Sequence, residues 1–272
     1  MGVAKRDIGM PERPLLTARW SNLLLLNFAV PADAVAPFAP AGTEPDLHDG
    51  QAYISIVGFR FDAARLLGVP IPGHTRFPEI NLRYYVRRTV AGETRRGVVF
   101  VREIVPRRAV ALIANWLYHE NYIARRMRSE IHMAGSELSA GDTIEYAWRT
   151  KTPLPFREGP GEGSSTRARA SKHRWNRLAA RVAAPLQLPP PKSLEEFLVE
   201  HYWGYVRAPG GATREYRVAH DAWQVAPADN VAWDCDLAAT YHTPLAEYLA
   251  VPPAHAIIAA GSPVNLYPGR RL

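Results

Sequence analysis

Phe77-Pro78-Glu79-Ile80-Asn81-Leu82-Arg83-Tyr84-Tyr85-Val86 is the stretch on which the reading of this chain turns. A β-strand sends successive side chains to opposite faces. Extended, the stretch puts Glu79, Asn81, Arg83 and Tyr85 on one face and Ile80, Leu82, Tyr84 and Val86 on the other. An acid, an amide, a guanidinium and a phenol in one row either line a ligand site or face water.

Working outward, Gly92 marks a hairpin turn, and Gly97 to Val105, rich in β-branched residues, is the expected antiparallel partner. Upstream, Ala52 to Phe61 alternates Ser55, Val57, Phe59 and Phe61 against Ile54, Ile56, Gly58 and Arg60. Trp20 to Val30 reads as the first strand. Pro31 opens a short helix with Asp33 in its first turn. Downstream, Pro106 opens a helix over Arg107–Leu117, and Thr143 to Thr150 is a further strand. His173 to Ala184 reads as an exposed basic helix. Ser193 caps another helix, with Glu196 at the capping-box position. Strands follow at His201–Arg207, Arg214–His220 and around Val264, Leu266 and Tyr267. Strands outnumber helices and short turns join them, so the fold class is mainly β with minor α: an antiparallel barrel or sandwich with a few covering helices.

Composition narrows the function. Hydrophobic residues at 47% and charged residues at 22% are ordinary for a soluble globular protein. Leu23-Leu24-Leu25-Leu26 is too short to span a membrane and reads as buried strand, so a cytoplasmic protein without membrane contact is expected. A lone cysteine, Cys235, excludes an internal disulfide and any multi-cysteine metal site. The formal net charge of +7 is concentrated rather than spread. Between Arg149 and Arg181 nine Lys/Arg face only Glu158 and Glu162, which leaves 24 basic and 24 acidic residues elsewhere. The expected organisation is an arm over residues 1–19 and one domain over 20–272, with a basic insertion at about 153–191.

Several spaced fragments carry a resemblance: W-x-x-L-x-L-x-x-x-x-V-P from Trp20, D-G-x-A-Y from Asp49 and F-x-E-x-N-x-R-x-Y-V from Phe77. L-x-E-F-L-x-E-H-Y-W-G-Y from Leu194, E-Y-x-V-x-H-x-x-W from Glu215 and G-S-P-V from Gly261 follow in order. Together they resemble the YqjF-like family (domain of unknown function 2071) of the acetoacetate decarboxylase-like superfamily. The resemblance implies a closed antiparallel β-barrel with a central cavity. In such a barrel the polar row of the opening stretch lines the lumen, and the apolar row packs outward under helices. The superfamily's named decarboxylases use a Schiff-base lysine beside a second lysine. Here Lys5, Lys151, Lys172 and Lys192 are all isolated, and the corresponding region reads His119, Glu120, Asn121, Tyr122. Schiff-base chemistry is therefore not expected.

The candidate ligand residues are Glu79, Asn81, Arg83, Tyr85, Tyr122, His201, Trp203 and Tyr205, with Glu79 and His119 as candidate acid–base groups. Arg83 suits a bidentate hold on a carboxylate, so the expected ligand is a small anion. No cofactor and no metal are implied, because no metal-ligand spacing and no G-x-G-x-x-G, P-loop or G-x-S-x-G motif occurs. Cys235, between Asp234 and Asp236, is a poor nucleophile. The alternative is a non-enzymatic surface protein that uses segment 149–181 on nucleic acid or an acidic partner. Nucleic acid is the less favoured partner, and a homo-oligomer is left open.

Overall fold

A computed structural model describes residues 13–70, 72–118, 120–153 and 171–272. The strands are β1 (Leu16–Val30), β2 (Glu44–Pro45), β3 (Ala52–Leu66), β4 (Val69–Pro70), β5 (Phe77–Val90), β6 (Glu93–Val105), β7 (Tyr122–Ala124), β8 (Met127–His132), β9 (Thr143–Pro153), β10 (Ser171–Val182), β11 (Trp203–Arg207), β12 (Thr213–His220), β13 (Val225–Asp234), β14 (His255–Leu266) and β15 (Arg270–Arg271). Among the described residues four short α-helices accompany them: α1 (Ala32–Val35), α2 (Arg108–Tyr118), α3 (Leu194–Val199) and α4 (Leu237–Tyr241). Ser193 caps α3 by accepting from the Glu196 amide, as its sequence position requires. Among the described residues no helix is long and apolar enough to cross a membrane.

The strands follow one path, β15-β12-β11-β6-β5-β3-β1-β14-β13-β10-β9-β8. β12 also pairs with β14 through Val218↔Leu266, Ala219↔Asn265 and His220↔Val264, so the path from β12 to β14 returns to its start. The remaining strands, β13, β10, β9 and β8, leave this ring and fold over its outside.

Strand parity assigns each apolar residue to one of two cores. Ile80, Leu82, Tyr84 and Val86 of β5 join Ile54 and Ile56 of β3 in a cluster with Ile144, Tyr146, Trp148, Leu178 and Ala180. The last five belong to β9 and β10, so strands rather than helices cover the outer face of β5. Tyr146 adds a polar tie, its hydroxyl donating to the Asn22 carbonyl at 2.7 Å. Val57, Phe59 and Phe61 of β3, with Tyr85 and Val98, form the inner cluster. The four leucines of β1 alternate accordingly, Leu24 and Leu26 outward, Leu23 and Leu25 inward.

That alternation is set by an irregularity in β1. The register with β3 slips between Ser21 and Leu24, where Asn22 has a positive φ of 55°. Opposite Ser21 lies Gly261, at φ +79°, and a Cβ there would overlap the Trp20 carbonyl oxygen. Only glycine fits this approach of backbone to backbone. Gly261→Ala is expected to lose about 1–3 kcal/mol, read as a lower urea midpoint with an unchanged slope.

The segment 173–184 departs from its expected helix. Residues 171–182 form β10, which pairs with β9 from Ser171↔Pro153 to Arg181↔Thr143 and with β13 on its other side. Residues 154–170, the centre of the basic stretch, lie outside the described residues.

Candidate functional site

An apolar cavity of about 120 Å³ lies on the inner side of the ring, walled by residues such as Trp20, Phe59, Phe61, Phe100 and Leu117. Its polar residues come from few elements. β5 contributes Glu79, Asn81 and Arg83 in a row, each two residues from the next. Glu103 of β6 stands directly across from Asn81, and Tyr122 of β7 stands beside Glu103 in parallel pairing. Glu120, Tyr216 and His201 join them, and His220, Arg65 and His74 also lie on the lining. Glu79, Asn81, Glu103 and Arg83 are all nearly inaccessible to solvent.

Local structure holds these groups in place. Asn115 of α2 clasps the backbone of Tyr122 from both sides, accepting from its amide at 2.8 Å and donating to its carbonyl at 3.0 Å. The Tyr122 hydroxyl thereby reaches the cavity and donates to Glu79 Oε2 at 3.3 Å, while Asn81 Nδ2 donates to Glu79 Oε1 at 3.3 Å. Tyr216 donates to Glu120 Oε1 at 2.9 Å. Its ring lies across Gly204, the residue opposite it on β11, where any Cβ would collide with the phenol. That collision accounts for the glycine in His201-Tyr202-Trp203-Gly204-Tyr205.

Burial dominates the electrostatics. It pushes the Glu79 carboxyl up to about 8, against the hydrogen bonds from Asn81 and Tyr122. Glu120 is likewise raised to about 8, by burial first, against the hydrogen bond from Tyr216. Glu103 is raised well above the usual carboxylate range, by burial and then by the charges of Glu120 and Glu79. His201 is held well below the usual imidazole range by burial, with Arg96 and Arg83 adding repulsion. Near neutrality the carboxyls therefore hold their protons and His201 is a neutral imidazole. The Arg83 guanidinium donates to the Leu198 carbonyl at 3.0 Å, but its Nε has no partner. Neither ring nitrogen of His201 has a hydrogen-bond partner, the Asp46 carboxylate lying 4.0 Å away and engaged by Arg96 at 2.7 Å.

Six of the residues singled out from sequence share this cavity: Glu79, Asn81, Arg83, Tyr122, His201 and Trp203. Tyr85 and Tyr205 do not line it. Tyr85 sits behind it, sharing a 2.6 Å hydrogen bond with Ser55 and packing on the His201 ring at 4.7 Å. Tyr205 faces away, against Glu215. His119 lies outside the described residues. Glu103, Glu120 and Tyr216 were not anticipated as site residues. Among the described residues no lysine lines the cavity, and no group of three or more His, Cys, Asp or Glu is arranged to hold a metal ion. The described end of the basic segment is largely paired: Arg174 with Asp234, Arg177 with Glu145 and Arg181 with Asp229. Burial raises the Cys235 thiol to about 12, which suppresses it as a nucleophile.

The strands that ring this cavity run antiparallel except for the parallel pair β6 and β11, and solved acetoacetate decarboxylase-like enzymes share the fold. The enduracididine biosynthesis enzyme MppR with HEPES buffer bound superposes with a TM-score of 0.58 at 14% identity, over 97% of this chain and 90% of that one. An acetoacetate decarboxylase-like enzyme from Sphingomonas wittichii RW1 gives 0.59 at 12% identity, over 95% and 93%. The acetoacetate decarboxylase of Legionella pneumophila gives 0.55 at 8%, over 99% and 91%. At such identities the likeness is one of fold. Within that fold class the chain belongs to the family of domain of unknown function 2071, described as an uncharacterized conserved protein, whose model matches residues 17–263. It is 30% identical over 149 residues to the uncharacterized protein YqjF of Bacillus subtilis (strain 168), a stretch covering 54% of this chain and 57% of that protein.

Proposed function

We propose that this protein is a closed barrel that binds a small carboxylate or carbonyl compound in its inner cavity and acts on it by proton transfer, without a Schiff-base lysine. One observation carries the reading: three buried carboxyls, which burial pushes towards their protonated form, and an incompletely partnered guanidinium face one apolar cavity. Buried polar groups without partners are costly, and they persist where a ligand completes them. Arg83 holds the anionic end, as a planar fork suits a carboxylate. Glu79, carrying its proton near neutrality and touching Tyr122, is the general acid at the reacting carbon or oxygen. The surrounding aromatic side chains exclude water and strengthen both contacts.

The test is ligand-induced thermal stabilisation across a library of small carboxylates and ketoacids. A true ligand at about 100 times its Kd adds roughly 2.7 kcal/mol, a shift of about 5 °C or more for a chain of this size. Arg83→Ala is expected to weaken the same compound by about 10- to 100-fold, the worth of a charge-assisted contact. Equal stabilisation of the wild type and Arg83→Ala by every carboxylate would remove Arg83 from the binding site.

A further inference from the structure

The cavity has two unlike ends. At one, Arg83 Nε and both ring nitrogens of His201 lack partners. At the other, three oxygens lack partners: Asn81 Oδ1, Glu103 Oε2 and Glu120 Oε2. All three belong to residues more than nine-tenths buried, and all three residues line the cavity. The hydroxyls close by are already used, Tyr122 on Glu79 and Tyr216 on the other oxygen of Glu120. Asn81 is itself turned so that its amide nitrogen serves Glu79, which leaves its oxygen free beside Glu103. While Glu103 and Glu120 hold their protons these oxygens can donate; once either ionises, acceptors exceed donors at this end, and the group that meets them carries several N–H bonds and positive charge. An ammonium supplies three donors and no acceptor.

We propose that the ligand is an aminocarboxylate, its carboxylate at Arg83 and its protonated amine among Asn81, Glu103 and Glu120. This rests on the cavity reading above and adds the second pole to it. The amine pole is centred on Asn81 and on Glu103 directly across from it, and the two-residue offset from Asn81 to Arg83 along β5 is about 7 Å of strand. A cavity of about 120 Å³ approaches in size an engineered cavity of roughly 150 Å³ that takes benzene, so the ligand has on the order of six to eight heavy atoms. Bringing a cation among carboxyls that hold their protons ionises at least one of them, so binding releases a proton to solvent. Besides these carboxyls, the titratable and charged groups on the cavity lining are Glu79 of β5, Tyr122 of β7, Tyr216 and His220 of β12, Arg83, His201, Arg65 of β3 and His74.

Isothermal titration calorimetry at pH 7 in phosphate and in Tris, whose ionisation enthalpies differ, reads affinity and proton release together. The probes are 4-aminobutanoate and 5-aminopentanoate against butanoate and pentanoate. At least one amino compound is expected to bind tenfold or more tighter than its desamino partner and to release close to one proton. In Glu103→Gln that advantage and the proton release both collapse. Glu120→Gln repeats the measurement should the first variant fold poorly. Equal binding of amino and desamino probes, or an advantage retained in both variants, overturns the second pole while leaving the carboxylate site standing. Failure of all four probes to bind overturns the aminocarboxylate proposal, and failure of the wider carboxylate library as well overturns the cavity reading beneath it.

Discussion

Glu215→Ala is expected to cost about 3–5 kcal/mol of folding stability, the magnitude seen when one partner of a buried ion cluster is removed. Glu215 is fully buried at the centre of three arginines. Its Oε1 accepts from Arg95 at 2.8 Å and from Arg270 at 2.8 Å and 3.1 Å, and its Oε2 accepts from Arg88 at 3.2 Å and Tyr205 at 3.3 Å. Arg88 and Arg95 stand directly across from each other on the β5–β6 hairpin, a like-charge pairing that is unfavourable without an anion between them. Arg270 brings in the C-terminal β15 beside Glu215. One carboxylate thus neutralises the hairpin and anchors the end of the chain to β12. Its loss leaves Arg95, itself nearly buried and lying over the Trp203 ring, as an uncompensated charge. Urea unfolding of Glu215→Ala should show a lower midpoint at unchanged slope, with Glu215→Gln intermediate because it keeps the acceptor but not the charge. A loss below about 1 kcal/mol would mean that solvent screens the three guanidiniums far better than their burial implies.

This cluster also explains one misplaced residue. The sequence puts His201, Trp203 and Tyr205 on one strand face, which suggests three aromatic groups around a ligand. Tyr205 is the direct cross-strand partner of Glu215, whereas Gly204 pairs with Tyr216. Partners share a face, so Tyr205 follows Glu215 away from the cavity and Tyr216 points into it. Parity within β5 was legible because that strand keeps a strict period of two past its polar row. Glu103 was not legible because β6 does not keep it. The β5–β6 register jumps between Leu82↔Arg102 and Arg83↔Phe100, leaving Val101 as an extra residue. Val98 and Phe100 face the cavity before that point and Glu103 faces it after, so simple alternation assigns Glu103 to the wrong side. The basic strand β10 failed for a different reason. His173-Arg174-Trp175-Asn176-Arg177-Leu178-Ala179-Ala180-Arg181-Val182 is rich in alanine, leucine and arginine, which favour helix intrinsically. Pairing with β9 and β13 overrides that preference, and Asn176, Leu178, Ala180 and Val182 bury one face at period two.

Stability in the absence of ligand should fall as pH rises from about 5 to 8, the reverse of ordinary acid denaturation. The cause is the three carboxyls of the cavity. In the unfolded chain each titrates near 4.5, whereas folded Glu79 and Glu120 titrate at about 8 and Glu103 well above the usual range. Between those values the folded state binds more protons than the unfolded state, so the slope of unfolding free energy against pH is negative. Each group fully within that interval contributes about 1.4 kcal/mol per pH unit, and the three are close enough to share the effect rather than add it in full. Below 4.5 all are protonated in both states and their contribution is flat. His201 works in the opposite direction: burial holds its folded value far below 6.5, so stability is lost as pH falls through that value. The two opposing trends place the maximum stability on the acid side of neutrality. Melting temperatures measured from pH 4 to 9 should therefore peak near pH 5–6 and decline towards pH 8. Glu79→Gln and Glu103→Gln, which replace the proton-binding groups by neutral isosteres, should each flatten the decline. A melting temperature that rises steadily from pH 5 to 8 in the wild type would mean that the carboxyls are ionised in the folded protein. Glu79 would then be a base rather than an acid at neutral pH.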